Sequence, residues 1–281
     1  MLNLKNIGMI RPEEYLFGSN FDVKQALKTA IIDPNEEIND AETILSIQNG
    51  YTLRPIFTRG NISTVIGKAK SRKTFYNTMI GAAIIKGSLY NKFISKQGFK
   101  IVFFDTEQGR KRSQKVGHRI IKLTGTNERL TVISMRPYST QERIEIIEEY
   151  FLNNKIDFAV IDGIRDLVKD FNNIAECTEI LNHLLRWSEV YQNHITNVLH
   201  MNKTDFNARG TLGTELINKS ETIIEISKDS NYSVVKPVYM RDEDFDPFMF
   251  TVENGLPIVC SGDVKFNPDT WLEPNKGKCE Y

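Results

Sequence analysis

Between residues 61 and 203, short apolar runs rich in β-branched residues alternate with longer helical patterns, and this alternation leaves few architectures open. NISTVIG (61–67) predicts a strand, and TFYNTMIGAAIIKG (74–87) a helix whose Gly81, Ala82 and Ala83 allow close packing on a sheet. FKIVFFDTE (99–107) predicts a buried strand, and GRKRSQKVGHRIIKLTG (109–125) a basic helix ended by glycine. RLTVISMRP (129–137) reads as a strand, followed by a helix over STQERIEIIEEYFLNN (139–154) with N-cap chemistry at its start. IDFAVIDGI (156–164), the long amphipathic IAECTEILNHLLRWSEVYQNH (174–194) and HITNVLHMNK (194–203) continue as strand, helix and strand. A glycine-containing loop (204–214) comes next, and after it only strands: SETIIEISKD, YSVVKPVYMRD and PFMFTVENGLPIVC. The expected fold is α/β: a mostly parallel central sheet flanked by helices, with a C-terminal antiparallel β extension at one sheet edge.

Residues 1–55 are polar and broken at Gly18-Ser19-Asn20 and Asp33-Pro34-Asn35. They read as an N-terminal arm or linker, helical over VKQALKTAII (23–32) and DAETILSIQ (40–48), packing on the main domain or on a neighbouring subunit. The core is expected over 56–265, with a loose tail at 266–281. With 36 basic and 36 acidic residues the chain is formally neutral, so binding to nucleic acid needs a local patch. Cys177, Cys260 and Cys279 form neither a metal-type spacing nor a disulfide framework. No apolar run is long enough to span a bilayer, and MLNLKNIGMIRPEEY lacks the core of a signal peptide, so a cytoplasmic protein is expected.

GKAKSRKT (67–74) stands between the first core strand and the first core helix. It has the length and ends of the phosphate-binding pattern G-x-x-x-x-G-K-[ST]. In such a loop, backbone N–H groups converge on phosphates at a helix N-terminus, the lysine reaches the same phosphates and the hydroxyl binds Mg²⁺. Gly67, Lys68, Ala69, Lys70, Ser71, Arg72, Lys73, Thr74 and Phe75 are the candidate nucleotide-binding residues. Arg72 departs from the pattern, which has glycine there. It leaves three readings: a working cradle in which Arg72 either points away from the nucleotide or adds a cation for the phosphates, a blocked site on a scaffold fold, or a basic solvated turn.

Three strand ends bear on that choice. FAVID (158–162) closes a buried strand with Asp162, where a carboxylate would hold Mg²⁺ together with Thr74. FFDTEQG (103–109) places Asp105 and Glu107 two residues apart, and Glu107 would orient and deprotonate an attacking water; the alternative is an acidic loop capping the next helix. His200, at the end of the next strand, would sense a γ-phosphate or be merely structural.

Together these residues resemble the RecA-like phosphate-loop (P-loop) ATPases, over roughly residues 50–255. Within them the resemblance is to RepA-type hexameric replicative helicases and to ATPases of Bacteroides-type mobile elements. It is carried by GKAKSRKT (67–74), FDTEQ (104–108), VIDGIRDL (160–167) and LHMNK…ARGTLGTEL (199–216). The resemblance implies ATP and Mg²⁺ as cofactors, Glu107 as catalytic base, and Lys73 and His200 on the phosphates. It implies a homo-oligomer, as a hexameric ring, with single-stranded DNA in a channel lined near 163–172 and 203–214. Arg165, Lys169, Lys203 and Arg209 are the cations there, diluted by Asp166 and Asp170. Arg209 and Arg241 are candidates for an arginine finger supplied in trans. Two functions follow: a motor or loader on DNA in replication or mobilisation of an element, or a nucleotide-dependent assembly switch that recruits a partner such as a primase or recombinase.

Overall fold

The alternation folds into a nine-stranded sheet, seen in a computed structural model that describes residues 22–201 and 210–260. Its parallel part is formed by β3 (Ile62–Gly67), β6 (Ile101–Asp105), β7 (Leu130–Ser134), β8 (Phe158–Asp162), β9 (His194–His200) and β10 (Thr222–Asp229). These strands lie in the order β10-β3-β9-β8-β6-β7, all neighbours parallel. The antiparallel strands β11 (Tyr232–Met240), β12 (Phe248–Glu253) and β13 (Leu256–Val259) extend the sheet beyond β10. Strands covered on both faces need apolar residues at every position, and β6 and β8 are buried along their whole length.

Helices α2 (Lys73–Lys86) and α3 (Arg110–Thr124) cover one face, and α4 (Thr140–Asn153), α5 (Ile174–Tyr191) and α6 (Gly210–Lys219) the other. Gly81 of α2 sits against Ile101 and Phe103, where an added Cβ would come within 2.9 Å of Ile101. α4 starts with a capping box: the Ser139 hydroxyl accepts from Glu142 N–H while the Glu142 carboxylate accepts from Ser139 N–H. No described helix is long and apolar enough to cross a membrane.

Three sequence expectations change. Helix α1 (Val23–Ala30) forms, capped by Asp22, but the helix expected over 40–48 is replaced by strand β1 (Thr43–Asn49). β1 pairs with β2 (Thr52–Thr58) through a turn at Gly50-Tyr51, and buries Ile44, Leu45 and Ile47 in the cluster on the α2 side. Two short strands, β4 (Ser88–Leu89) and β5 (Phe93–Ile94), complete a second sheet ordered β2-β1-β5-β4. Residues 210–214 of the expected loop belong to α6, which buries Leu212 and Leu216 one turn apart, so the C-terminal part does not consist of strands alone. The strand expected to reach Glu107 ends at Asp105, and Glu107 lies in the turn beyond it.

Candidate functional site

Parallel register brings the carboxyl ends of β3, β9, β8 and β6 to one edge. Gly67 is paired with His200, and Asp105 with Asp162. Open α/β sheets bind ligands at this edge.

The 67–74 segment leaves β3 at Gly67 and enters α2 at Lys73. Gly67 has φ 157°, and a Cβ there would lie 2.3 Å from the Ile226 carbonyl oxygen, so β10 excludes every other residue. Arg72 is left-handed, with φ 75° and ψ 28°. That backbone state explains why the pattern has glycine at this point, and a residue with a Cβ adopts it at a cost of about 1–2 kcal/mol. Lys70 is left-handed as well, at φ 66°. Arg72 Nη1 donates to the Asn231 carbonyl at 2.7 Å, and the Ser233 hydroxyl donates to the Ser71 carbonyl at 3.2 Å. Both partners belong to the β10–β11 hairpin, so the hairpin holds the loop in its strained shape and draws the guanidinium toward itself. Were a nucleotide bound on this loop, Arg72→Gly should leave its affinity within about twofold, because relief of the αL strain offsets the lost hydrogen bond. Arg72→Ala keeps the strain and loses the bond, and should lower the melting temperature below that of the glycine variant. A tenfold weaker nucleotide affinity in Arg72→Gly would instead give the guanidinium a direct role on the ligand.

Lys73 is buried, and its Nζ donates to the Gly67 carbonyl at 2.8 Å and the Lys68 carbonyl at 3.1 Å. Nζ also lies 3.1 Å from His200 Nδ1. An ammonium only donates, so Nδ1 accepts and the imidazole proton sits on Nε2, which faces Glu107 Oε1 at 3.4 Å. Lys73, His200 and Glu107 thus form a chain across the strand ends. Burial brings the Lys73 ammonium down to about 8, against the pull of Asp162 and Glu107. Glu107 is held below the ordinary carboxylate range, first by its hydrogen bond to His200 and against its partial burial.

Thr74 Oγ1 donates to Asp162 Oδ2 at 2.8 Å. Burial pushes Asp162 up to about 6, with the Thr74 hydrogen bond opposing. Asp105 lies beside it, with Oδ1 accepting from Gln108 N–H at 2.8 Å and the Ser113 hydroxyl facing the carboxylate; burial raises its pKa against these hydrogen bonds. Gly163 follows Asp162 with φ 107°, and a Cβ there would lie 2.3 Å from Thr106 Oγ1 and 2.7 Å from Glu107 Cγ. The glycine therefore lets the Thr106-Glu107 turn fold over the end of β8. Thr106 Oγ1 lies within hydrogen-bond reach of the Asp162 and Gly163 carbonyls and of Asp166 Oδ2, between 3.0 and 3.1 Å.

Asp162 has a consequence for stability. Its native pKa lies above the unfolded value, so from about pH 4 to about 6 the folded protein keeps a proton that the unfolded chain has released. Stability falls as pH rises through that window, and the full penalty holds above it. Asp162→Asn should therefore raise stability at neutral pH by about 1–3 kcal/mol, with the gain shrinking toward pH 4. A lower melting temperature for the variant at neutral pH would contradict this.

The hydroxyl of Thr74 and the carboxylates of Asp162 and Asp105 are hard oxygen donors suited to Mg²⁺. Among the described residues no group of three or more His, Cys, Asp or Glu could hold a metal by itself. Mg²⁺ bound through one or two protein oxygens and substrate phosphates needs no such group. The amides of the first α2 turn, at Lys73 and Thr74, have no acceptor within the helix and can receive phosphate oxygens. Lys68, Ala69 and Lys70 are exposed around them, while Ser71 is buried.

The structure thus brings together Gly67, Lys73, Thr74, Asp162, Glu107 and His200. Phe75 points away, under the Arg119 guanidinium at 4.2 Å from its ring centre. Arg165 folds back over Phe171, 5.3 Å from the ring centre. Lys169 N–H donates to Glu176. Arg241 lies at the opposite end of the sheet, where its N–H donates to the Glu221 carbonyl and its Nη1 to Asn61 Oδ1. Lys203 and Arg209 lie outside the described residues. No protein-family model matches the chain, and no curated protein matches it. Sequence reasoning missed the roles of Thr106, Gly163 and Asn231. Glycine directly after a buried strand-end aspartate was the one available signal, for Gly163.

Proposed function

We propose that this chain is a RecA-like phosphate-loop ATPase that works as an oligomer on DNA, in the manner of RepA-type hexameric helicases and the ATPases of mobile elements. The observation that carries the reading is the meeting of Lys73, the Thr74–Asp162 pair and the His200–Glu107 pair at the carboxyl ends of four adjacent strands, β3, β9, β8 and β6. A phosphate chain would lie on the 67–74 loop against the first α2 amides. Lys73 would exchange its carbonyl partners for phosphate oxygens. Thr74 and Asp162 would hold Mg²⁺, which neutralises charge on the transferring phosphoryl group when bound. Glu107, ionised and half-exposed, would take the proton of the attacking water. Arg241, remote from the site of its own chain, would in this reading act on a neighbour's nucleotide. A cytoplasmic, membrane-free setting goes with this reading.

A second reading, a nucleotide-driven assembly switch that recruits a protein partner without unwinding DNA, is favoured by the 163–172 segment. There Arg165 is folded on Phe171, and Asp166 is tied to Thr106. One experiment separates the two. Mg²⁺·ATP should raise the melting temperature in a saturable way, and single-stranded DNA should speed hydrolysis at low salt and lose that effect at high salt. Saturable binding with no stimulation at any salt supports the switch. No binding at all refutes both.

A further inference from the structure

We propose that the outer face of α3 is a binding site for the phosphodiester backbone of a nucleic acid; this rests on the reading of the chain as an ATPase acting on DNA. The helix RKRSQKVGHRIIKLT carries six Arg or Lys residues and no acid, in a chain that is formally neutral as a whole. Lys111, Lys115, His118 and Lys122 are all exposed. Their 4-3-4 spacing puts them on one helical face, a stripe about 16 Å long at about 1.5 Å per residue. Arg110 and Arg112 widen its N-terminal end. Among the described residues none of the five lysines and arginines named has an ion pair.

Three cations also occupy the first three helical positions, where the macrodipole is positive and local stability favours acids. The arrangement works against the helix and in favour of an external polyanion. The helix carries no Phe, Tyr or Trp on which bases would stack, so the contact is to the backbone and is indifferent to sequence. α4, the flanking helix across the edge strand β7, exposes Glu142, Glu145 and Glu149, which repel the same ligand. α3 is also joined to the candidate site at two points. Its N-cap Gly109 lies two residues after Glu107, and Arg119 stacks on Phe75, next to Thr74. A strand drawn along α3 would therefore bear on the groups that handle the nucleotide.

The test uses the full chain, a labelled oligonucleotide as single strand or duplex, and anisotropy across a salt series. Replacing Lys111, Lys115 and Lys122 by alanine should weaken binding about 10- to 100-fold at low salt. It should also make the log–log salt slope shallower by about 2 for a single strand. The same three positions as arginine should keep both, and the alanine variant should keep its Mg²⁺·ATP thermal shift. The arm that binds more tightly identifies the source of the backbone. Unchanged affinity and slope in the folded alanine variant would overturn the stripe while leaving the ATPase reading intact. A wild-type chain that binds neither oligonucleotide would overturn the stripe and the DNA part of that reading. Self-association abolished by the alanine variant, without DNA binding, would assign the stripe to a second copy's acidic α4 and overturn the proposal.

Discussion

Lys73→Ala is expected to abolish ATP turnover, by a factor on the order of 10³, while the fold survives. Lys73 is a buried cation whose bonds go to two carbonyls of its own loop and to His200. Its removal takes a desolvated charge out of the protein, and the Gly67 and Lys68 carbonyls keep the N–H groups of Met201 and Ser71 as donors. The melting temperature without ligand should therefore move by about 3 °C or less. Protein that melts normally, binds nucleotide poorly and does not hydrolyse it would separate a lost phosphate contact from misfolding. Wild-type turnover by the alanine variant would remove the 67–74 loop from the chemistry.

The same lysine predicts a pH effect. Its native pKa of about 8 means that the cation is half lost near pH 8, and phosphates would raise that pKa by opposing charge. Nucleotide affinity should fall as pH rises through about 8, and binding there should take up about half a proton. Calorimetry in two buffers of different ionisation enthalpy measures the uptake. Identical heats in both buffers would mean that Lys73 titrates elsewhere.

Glu107→Gln should leave Mg²⁺·ATP binding in place and reduce hydrolysis by about 10²- to 10⁴-fold. Glutamine preserves the shape and can still accept from His200 Nε2, so the 3.4 Å contact and the turn over Gly163 should persist. What is lost is the ability to take a proton. Because His200 holds Glu107 below the ordinary carboxylate range, the acid limb of the turnover profile should also lie low. His200→Ala should move that limb upward. Robust hydrolysis by the glutamine variant would exclude Glu107 as base and direct attention to Asp105, the buried carboxylate beside Asp162.

The parallel strands were legible because strands covered on both faces are unbroken apolar runs, and the helices between them are long enough to show their period. β1 was not, because Ile44, Leu45 and Ile47 suit one helical face as well as a bulged strand. α6 was hidden by its shortness and by Gly210 and Gly213, with only Leu212, Leu216 and Ile217 to mark a period. In the site, Lys73, Thr74, Asp162, Glu107 and His200 could be named from motif and strand ends alone. The pairing of Asp105 with Asp162 could not, since it depends on the register between strands far apart in sequence. Nor could the fate of Arg72, whose partner lies 159 residues away.

That partner gives the C-terminal strands a consequence beyond edge decoration. A loop with glycine before its lysine keeps its shape by itself, whereas this one is clasped from outside by a hairpin 159 residues downstream. Its geometry is thus a shared property of two distant segments, which must vary in concert. A variant that displaces β11 should therefore also disturb the 67–74 loop, since Asn231 and Ser233 are its anchors from outside.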